Sequence, residues 1–178
     1  MNLETKLQAL DYIVDQLKSW YVEAGGDLVQ NDLSKLKVTK LLFFISAVSS
    51  SRETPGLLTT FDDFVAMPFG HVESELHDHM DESAHFAITK DALRFKPGMN
   101  QYIINEGISS LQPVIDSSIV KLKKINHGLV KYHPFTLVDL SHKWQSWNTI
   151  FSLAKRNGKY SMKIPKEMIM VEPKIFHI

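Results

Sequence analysis

The sequence predicts a mainly α, single-domain helical bundle with a small β-hairpin or short β-sheet. Apolar residues recur at helical spacing along most of the chain, and only two short stretches near its middle have the character of strands. The length, 178 residues, suits one domain, and hydrophobic residues make up an ordinary 44% of it. We expect this domain to span residues 1–178, with a core at about 3–155 and a C-terminal tail, 156–178, packed on that core.

The first two helices have the clearest signals. One apolar stripe with steps of three and four residues runs through Leu3, Leu7, Leu10, Val14, Leu17 and Tyr21. Gly25 and Gly26 should end this helix, because glycine adopts the left-handed C-cap conformation without a Cβ clash. Ser34 can cap a second helix over residues 35–45. Its first turns carry lysines on one side and its last turns are apolar nearly all round, which predicts a central buried helix.

The middle of the chain mixes short elements. Residues 61–70 fit either a short strand or a helix end, and the proline and glycine in this segment predict a turn. A short helix is expected over residues 72–80. Residues 84–88 and 92–95 read as two extended segments that form a hairpin.

The second half is predicted to be helical again. Asn100 can cap a helix over residues 100–111, and Pro113 either breaks that helix or opens the next one, over residues 115–125. A fifth helix is expected to start at His133 and to continue without a break to Ala154. The tail alternates only weakly.

Charge is distributed unevenly along a chain of zero net charge. Residues 1–89 hold 6 Lys/Arg against 14 Asp/Glu, whereas residues 90–178 hold 14 against 6. Such a split can mark a nucleic-acid face, or two parts that attract each other within one fold. The basic residues are scattered and few aromatic residues lie between them, so the second interpretation is favoured and nucleic-acid binding is the weaker alternative.

The composition also excludes several classes of protein. There are no cysteines, which excludes disulfides, thiolate metal sites and a cysteine nucleophile. The longest apolar run, residues 41–45, is far shorter than the ~20 residues that cross a bilayer, and no export signal is visible at the N-terminus. We therefore expect a cytoplasmic protein with no membrane association.

The richest set of titratable residues lies between residues 70 and 87. His71, His77 and His79 sit among several carboxylates, and on a helix His71 and Glu75 would share a face. A metal-dependent hydrolase built on these three histidines is therefore one hypothesis. The His-Glu-x-x-His pattern is absent, however, and the favoured interpretation is a solvated acidic helix with surface histidines.

No catalytic or cofactor-binding motif is found elsewhere. Ser141 and His142 are sequence neighbours, which on a helix point about 100° apart and cannot form a hydrogen-bonded dyad. The chain lacks the Gly-x-Ser-x-Gly elbow and the glycine-rich phosphate loops. We predict that the protein is not an enzyme and carries no cofactor and no metal.

Three segments, in order, carry a family resemblance. Residues 36–44 are similar to a leucine- and lysine-rich helix of a known family. Residues 67–72 stand where that family has a tyrosine-glycine-proline-valine turn. Residues 140–142 followed by Trp147 are similar to a late helix with a Ser/Thr-His pair and a tryptophan. Over about residues 7–155 the chain thus resembles the Panacea domain, the antitoxin-type family that includes SocA-like antitoxins and phage-associated proteins.

The resemblance implies a mainly helical domain that binds and neutralises a cognate toxin protein in a toxin–antitoxin or phage-related system. It also allows a second role, as an adaptor that delivers a bound partner to a protease. It implies no catalytic residues, and it leaves the oligomeric state open. The positions that match the family motifs, with a role in the fold or in partner binding, are Lys40, Phe43, Gly70, His71, His142 and Trp147.

These positions carry specific expectations. Gly70 should serve a backbone angle that other residues would strain to adopt. Trp144 and Trp147 should share one helical face in the core, and His142 should anchor a buried hydrogen bond. An antitoxin acts by occlusion, so we expect its working surface to be an apolar patch with aromatic anchors and a polar rim.

Overall fold

The protein is mainly α-helical. The computed structural model describes residues 1–178, of which 54% are helical, with small sheets of two and three strands. The predicted mainly α class is therefore confirmed. None of the helices combines the length and the apolar composition that crossing a bilayer requires.

The first two helices confirm their predictions. Helix α1, Leu3–Glu23, is capped by Asn2, and Gly25 follows it with φ 79°. Helix α2, Lys35–Val48, is capped by the hydroxyl of Ser34 and packs against helices and strands on several sides. The prediction of a polar, lysine-bearing side on α2 is wrong, because two of its lysines are fully buried.

A hairpin follows at the centre of the chain. Strand β1, Phe64–Met67, pairs antiparallel with β2, Gly70–Glu73, and helix α3, Ser74–His79, begins directly after β2. The predicted helix over residues 72–80 is thus wrong at its start. Val72 and Glu73 belong to the strand because they pair with Val65 and Phe64 in β1.

The second predicted hairpin is confirmed. Strand β3, Phe86–Ile88, pairs antiparallel with β4, Leu93–Phe95. The side-chain amide of Asn31 fastens this hairpin to the loop after α1, because it donates to the carbonyl oxygen of Leu93 and accepts from its N–H, both at 3.0 Å.

The helix predicted over residues 100–111 is wrong. The segment holds only one turn of 3₁₀ helix, Glu106–Ile108, which the Asn105 side chain caps by accepting from Gly107 N at 2.7 Å. Ile103 and Ile104 are exposed, so this segment offers no buried apolar stripe of helical spacing.

Three longer helices form the second half. Helix α4, Gln112–Ile125, has Pro113 in its first turn, so the proline opens a helix as one of the two alternatives predicted. Helices α5, Pro134–His142, and α6, Gln145–Arg156, replace the single helix predicted from His133. The break falls at Trp144, whose backbone is extended.

Trp144 and Trp147 therefore do not share a helical face, although both are buried. The Trp144 ring lies in the core and its Nε1 donates to the carbonyl oxygen of Ile175 at 3.0 Å. The side chain thus contacts the C-terminal tail at the point where the two helices separate.

The C-terminal segment is structured. Strand β5, Met162–Lys163, pairs antiparallel with β1 and completes a sheet of order β2-β1-β5, and helix α7, Lys166–Val171, follows. Ile164, Ile169 and Phe176 are buried in the hydrophobic core shared by the whole chain. Helix α2 lies in the middle of that core, packed against α1, α4, α5 and β2.

Candidate functional site

The residues that match the family motifs meet around the turn between β1 and β2. Helix α2 contributes Lys40 and Phe43, the hairpin contributes Gly70 and His71, and the α5–α6 region contributes the rest of the contacts. Residues far apart in the chain thus surround one turn. We call the polar residues beneath it, Lys40, His71, Ser141 and Ser146, the buried network.

His71 is the centre of the buried network and is fully buried. Its ring stacks on Phe43, with 3.7 Å between ring centroids and 8° between planes. Its Nδ1 lies 2.9 Å from Ser141 Oγ and its Nε2 lies 2.9 Å from Ser146 Oγ. Burial, and the positive charge that Lys40 and His142 carry when protonated, lower the pKa of His71 well below its usual value, so the imidazole is neutral.

Lys40 is a fully buried lysine with no carboxylate partner. Its Nζ donates to the carbonyl oxygen of His71 at 2.6 Å, and this is its one hydrogen bond. Lysine is rarely buried completely unless it is paired with an acid. Burial therefore lowers the pKa of Lys40 to about 7.

Gly70 brings the turn close to α5. It has a positive φ of 94°, which agrees with the backbone role expected from the sequence. A Cβ atom at this position would lie 2.5 Å from Ser141 Oγ and 2.9 Å from Ser141 Cβ. Only glycine allows this approach, which lets the His71 N–H donate to Ser141 Oγ at 3.1 Å.

Two more side chains hold the backbone of the turn. Trp147 Nε1 donates to the carbonyl oxygen of Met67 at 2.8 Å, and His142 Nε2 lies 3.1 Å from the carbonyl oxygen of Pro68. The His142 and Trp147 rings stack with centroids 3.8 Å apart. Burial and Lys40 lower the pKa of His142 although its contact with Pro68 favours the proton, so a neutral His142 donates from Nε2. The hydrogen bond expected for His142 is thus present.

An aromatic surface lies on the solvent side of this turn. Phe69 and Phe135 are 52% and 54% exposed, and their ring centroids are 6.1 Å apart. Tyr160, 70% exposed, lines with Phe69 a cavity of about 290 Å³. We call Phe69, Phe135, Tyr160 and this cavity the turn surface. Lys35 and Lys90 also line the cavity, and no Asp or Glu does.

The histidines proposed as metal ligands do not come together. His71 points into the core from β2, whereas the exposed side chains of His77 and His79 on α3 contact Asp78 and Glu82. No group of three or more His, Asp or Glu in the chain could hold a metal ion. The hypothesis of a metal site on these three histidines is therefore wrong, as is the placement of His71 on a solvated helix.

Sequence reasoning missed the partners of His71. The sequence places Ser141 beside His142, yet its hydroxyl contacts a histidine 70 positions earlier in the chain. Ser146 lies 75 positions away from His71. The signal available was small polar residues at positions of α5 and α6 that face the core.

No family model, no curated protein and no solved structure matches this chain. The resemblance to the Panacea domain therefore stays a prediction.

The buried Lys40 predicts an unusual pH dependence of stability. As the pH rises above about 7, Lys40 loses its proton in the folded protein, whereas the unfolded chain keeps it protonated up to its ordinary pKa of 10.5. The unfolded state then binds more protons, so the free energy of unfolding should rise with pH, by up to roughly 1.4 kcal/mol per pH unit. Urea denaturation at pH 7, 8 and 9 measures this slope.

The variant Lys40→Met isolates the contribution of that side chain. Its slope should be at most half that of the wild type, with the remainder due to Lys37 and Lys174, whose pKa values burial also lowers. Lys155→Met, at an exposed position on α6, should keep the wild-type slope. Equal slopes in the wild type and Lys40→Met would contradict a neutral buried lysine.

Proposed function

We propose that this protein binds a partner protein through the turn surface and neutralises it by covering its working surface, as an antitoxin in a toxin–antitoxin or phage-related system. One observation carries the binding proposal: Phe69 is exposed on a turn whose backbone is fixed from beneath, and the exposed Phe135 ring, from the first turn of α5, lies beside it. Large aromatic side chains supply most of the binding energy in protein interfaces.

The contacts beneath the turn explain why Phe69 can be presented there without a large loss of entropy on binding. The carbonyl oxygens of Met67 and Pro68 accept hydrogen bonds from α5 and α6, and His71 is fixed on both ring nitrogens. A surface that is already ordered loses less conformational freedom when a partner binds, which raises affinity.

The burial of the network also favours binding over chemistry at this place. Lys40, His71 and Ser141 have the functional groups of a catalytic site, but each of them is fully buried. Groups that a substrate cannot reach support the fold of the turn. The resemblance to antitoxin-type domains, which act by occlusion, agrees with a site of this kind.

The cavity beside Phe69 indicates the chemistry of the partner. Its walls include Leu36, Val72 and Tyr160, and its charged residues are Lys35 and Lys90. A complementary partner therefore inserts an apolar side chain and places carboxylates against the two lysines. We propose an acidic, partly apolar surface on the toxin.

Expression with the product of the neighbouring reading frame tests this function. We expect that product to stop growth when it is expressed alone, and growth to resume when this protein is expressed with it. The two proteins should co-purify. Phe69→Ala and Phe135→Ala should each weaken the complex about 30-fold, the effect of losing roughly 2 kcal/mol at an interface hot spot.

Val29→Ala is the matched control, because Val29 is an exposed apolar residue that does not line the turn surface. It should leave the dissociation constant unchanged. A complex that both phenylalanine variants form with wild-type affinity would contradict binding at the turn surface. Loss of the partner that depends on a host protease would show delivery to that protease in place of occlusion.

A further inference from the structure

We propose that a second cavity, between α1 and the segment that leads into β3, binds a small organic cation with a primary ammonium or guanidinium group on an apolar body. The cavity has a volume of about 380 Å³, within the size range of small-molecule sites. None of its lining residues belongs to the turn surface. We call it the α1 cavity.

A buried carboxylate organises one wall of the α1 cavity. Asp11, on α1, accepts a hydrogen bond from the Ser83 hydroxyl with Oδ1, and from Ala84 N with Oδ2 at 3.1 Å. The same Oδ2 lies 3.0 Å from Nδ1 of His85. Asp11 is almost fully buried and has no Lys or Arg partner, so these three donors are what stabilise its charge.

The Asp11 carboxylate fixes the tautomer of His85. Because Oδ2 can only accept, Nδ1 of His85 must carry the hydrogen and donate it. In the neutral form of this imidazole the lone pair is then on Nε2, which has no hydrogen-bond partner in the protein. The His85 side chain is 16% exposed and lines the cavity, so a ligand can reach this acceptor.

The other groups around the α1 cavity also favour a cation. The carboxylates of Glu4 and Glu82 line it, and no Lys or Arg does. The ring of Tyr102 meets the His85 ring edge to face at 4.9 Å, and an aromatic face beside carboxylates is a preferred environment for organic cations.

Two other ligand classes fit less well. An anion would face the carboxylates of Glu4, Asp11 and Glu82 with no Lys or Arg to hold it. A metal ion would need at least three ligating side chains close together, and the chain has no such group. Leu3 and Leu7 instead supply apolar surface for the body of an organic molecule.

Calorimetric titration of the whole protein with benzylammonium tests this inference. Benzyl alcohol and benzoate are the neutral and anionic controls of the same shape. We expect benzylammonium to bind at least ten-fold more tightly than benzyl alcohol, and benzoate not to bind. The NMR signals of the His85 and Tyr102 rings should shift during the titration, while those of the remote His133 ring should not.

Two double variants, each of which removes two negative charges, distinguish binding in the α1 cavity from general electrostatic attraction to the protein. Glu4→Gln with Glu82→Gln should weaken benzylammonium binding at least ten-fold, whereas Glu53→Gln with Glu167→Gln, both at exposed positions elsewhere, should not change it. Equal binding of benzyl alcohol, or no shift of the His85 and Tyr102 signals, would overturn the proposal. Because the turn surface shares no residue with this site, neither result depends on the antitoxin function.

Discussion

Replacing Gly70 with alanine should lower the free energy of unfolding by roughly 2 to 5 kcal/mol. At the φ of 94° that Gly70 adopts, a side chain strains the backbone, which accounts for about 1–2 kcal/mol. The added Cβ would also lie 2.5 Å from Ser141 Oγ and 3.3 Å from Lys40 Nζ. Such overpacking typically costs about 1–3 kcal/mol more. Urea denaturation at a fixed pH measures the loss.

Gly98→Ala is the matched control for this effect. Gly98 has a similar positive φ of 85°, but nothing lies within 4 Å of where its Cβ would be. It should show the backbone strain alone, about 1–2 kcal/mol. If Gly70→Ala destabilised the protein no more than Gly98→Ala, the close packing of the turn against Ser141 would be contradicted.

The Gly70→Ala change should also affect binding of the partner at the turn surface. The Gly70→Ala clash falls on the residues that fix the turn from beneath, so the positions of Phe69 and the neighbouring carbonyl groups should change. At a temperature where the variant is still folded, it should bind the partner more weakly than Gly98→Ala does. This comparison separates the geometry of the turn from the overall stability of the protein.

Elements with local signals could be predicted from the sequence. The spacing of the apolar stripe and the Ser34 cap are properties of neighbouring residues, so α1 and α2 lie where they were expected. The separation of α5 from α6 has no such signal, because no glycine or proline lies between them. At the break, the Trp144 ring bonds to Ile175 in the tail, a contact that the local sequence does not reveal.

The buried lysines of α2 are a second feature that the local sequence does not reveal. Lysines on α2 look like a solvated face, because burying an ammonium group is unfavourable. Lys37 is nevertheless buried with its Nζ 2.7 Å from Asp32 and over the ring of Tyr21, and Lys40 donates to the backbone of His71. These partners are fixed by tertiary structure, so periodicity alone could not predict them.

For the candidate site, the sequence indicates which residues belong to it but not which contacts they make. The resemblance named Lys40, Gly70 and His71 but did not say how they touch. Ser141 of α5, which contacts Gly70 and His71, is about 70 positions later in the chain. The metal hypothesis failed for a local reason, since it required His71 and Glu75 to share a helix that begins only at Ser74.

Replacing Lys6 with methionine should destabilise the protein by about 3–5 kcal/mol, the range for removing one partner of a buried ion pair. Lys6 Nζ lies 2.7 Å from Glu73, 2.7 Å from Glu75 and 2.8 Å from Asp62. Burial opposes its charge, but hydrogen bonds to these three carboxylates outweigh burial and raise its pKa above the ordinary value. Without Lys6, the fully buried Glu73 carboxylate would keep only backbone donors such as Leu76 N.

The double variant Lys6→Met with Glu73→Gln shows how much of this loss of stability comes from leaving the Glu73 carboxylate unpaired. Removing both charges should recover much of the stability, and the difference from the sum of the single variants measures their coupling. Lys123→Met, which breaks an exposed contact of the same 2.7 Å length to Glu23, should cost no more than about 1 kcal/mol. A Lys6→Met loss as small as that of Lys123→Met would mean that water enters to solvate Glu73. The Lys6–Glu73 pair would then not be the contact that holds α1 against the end of β2, in the hairpin that carries Phe69.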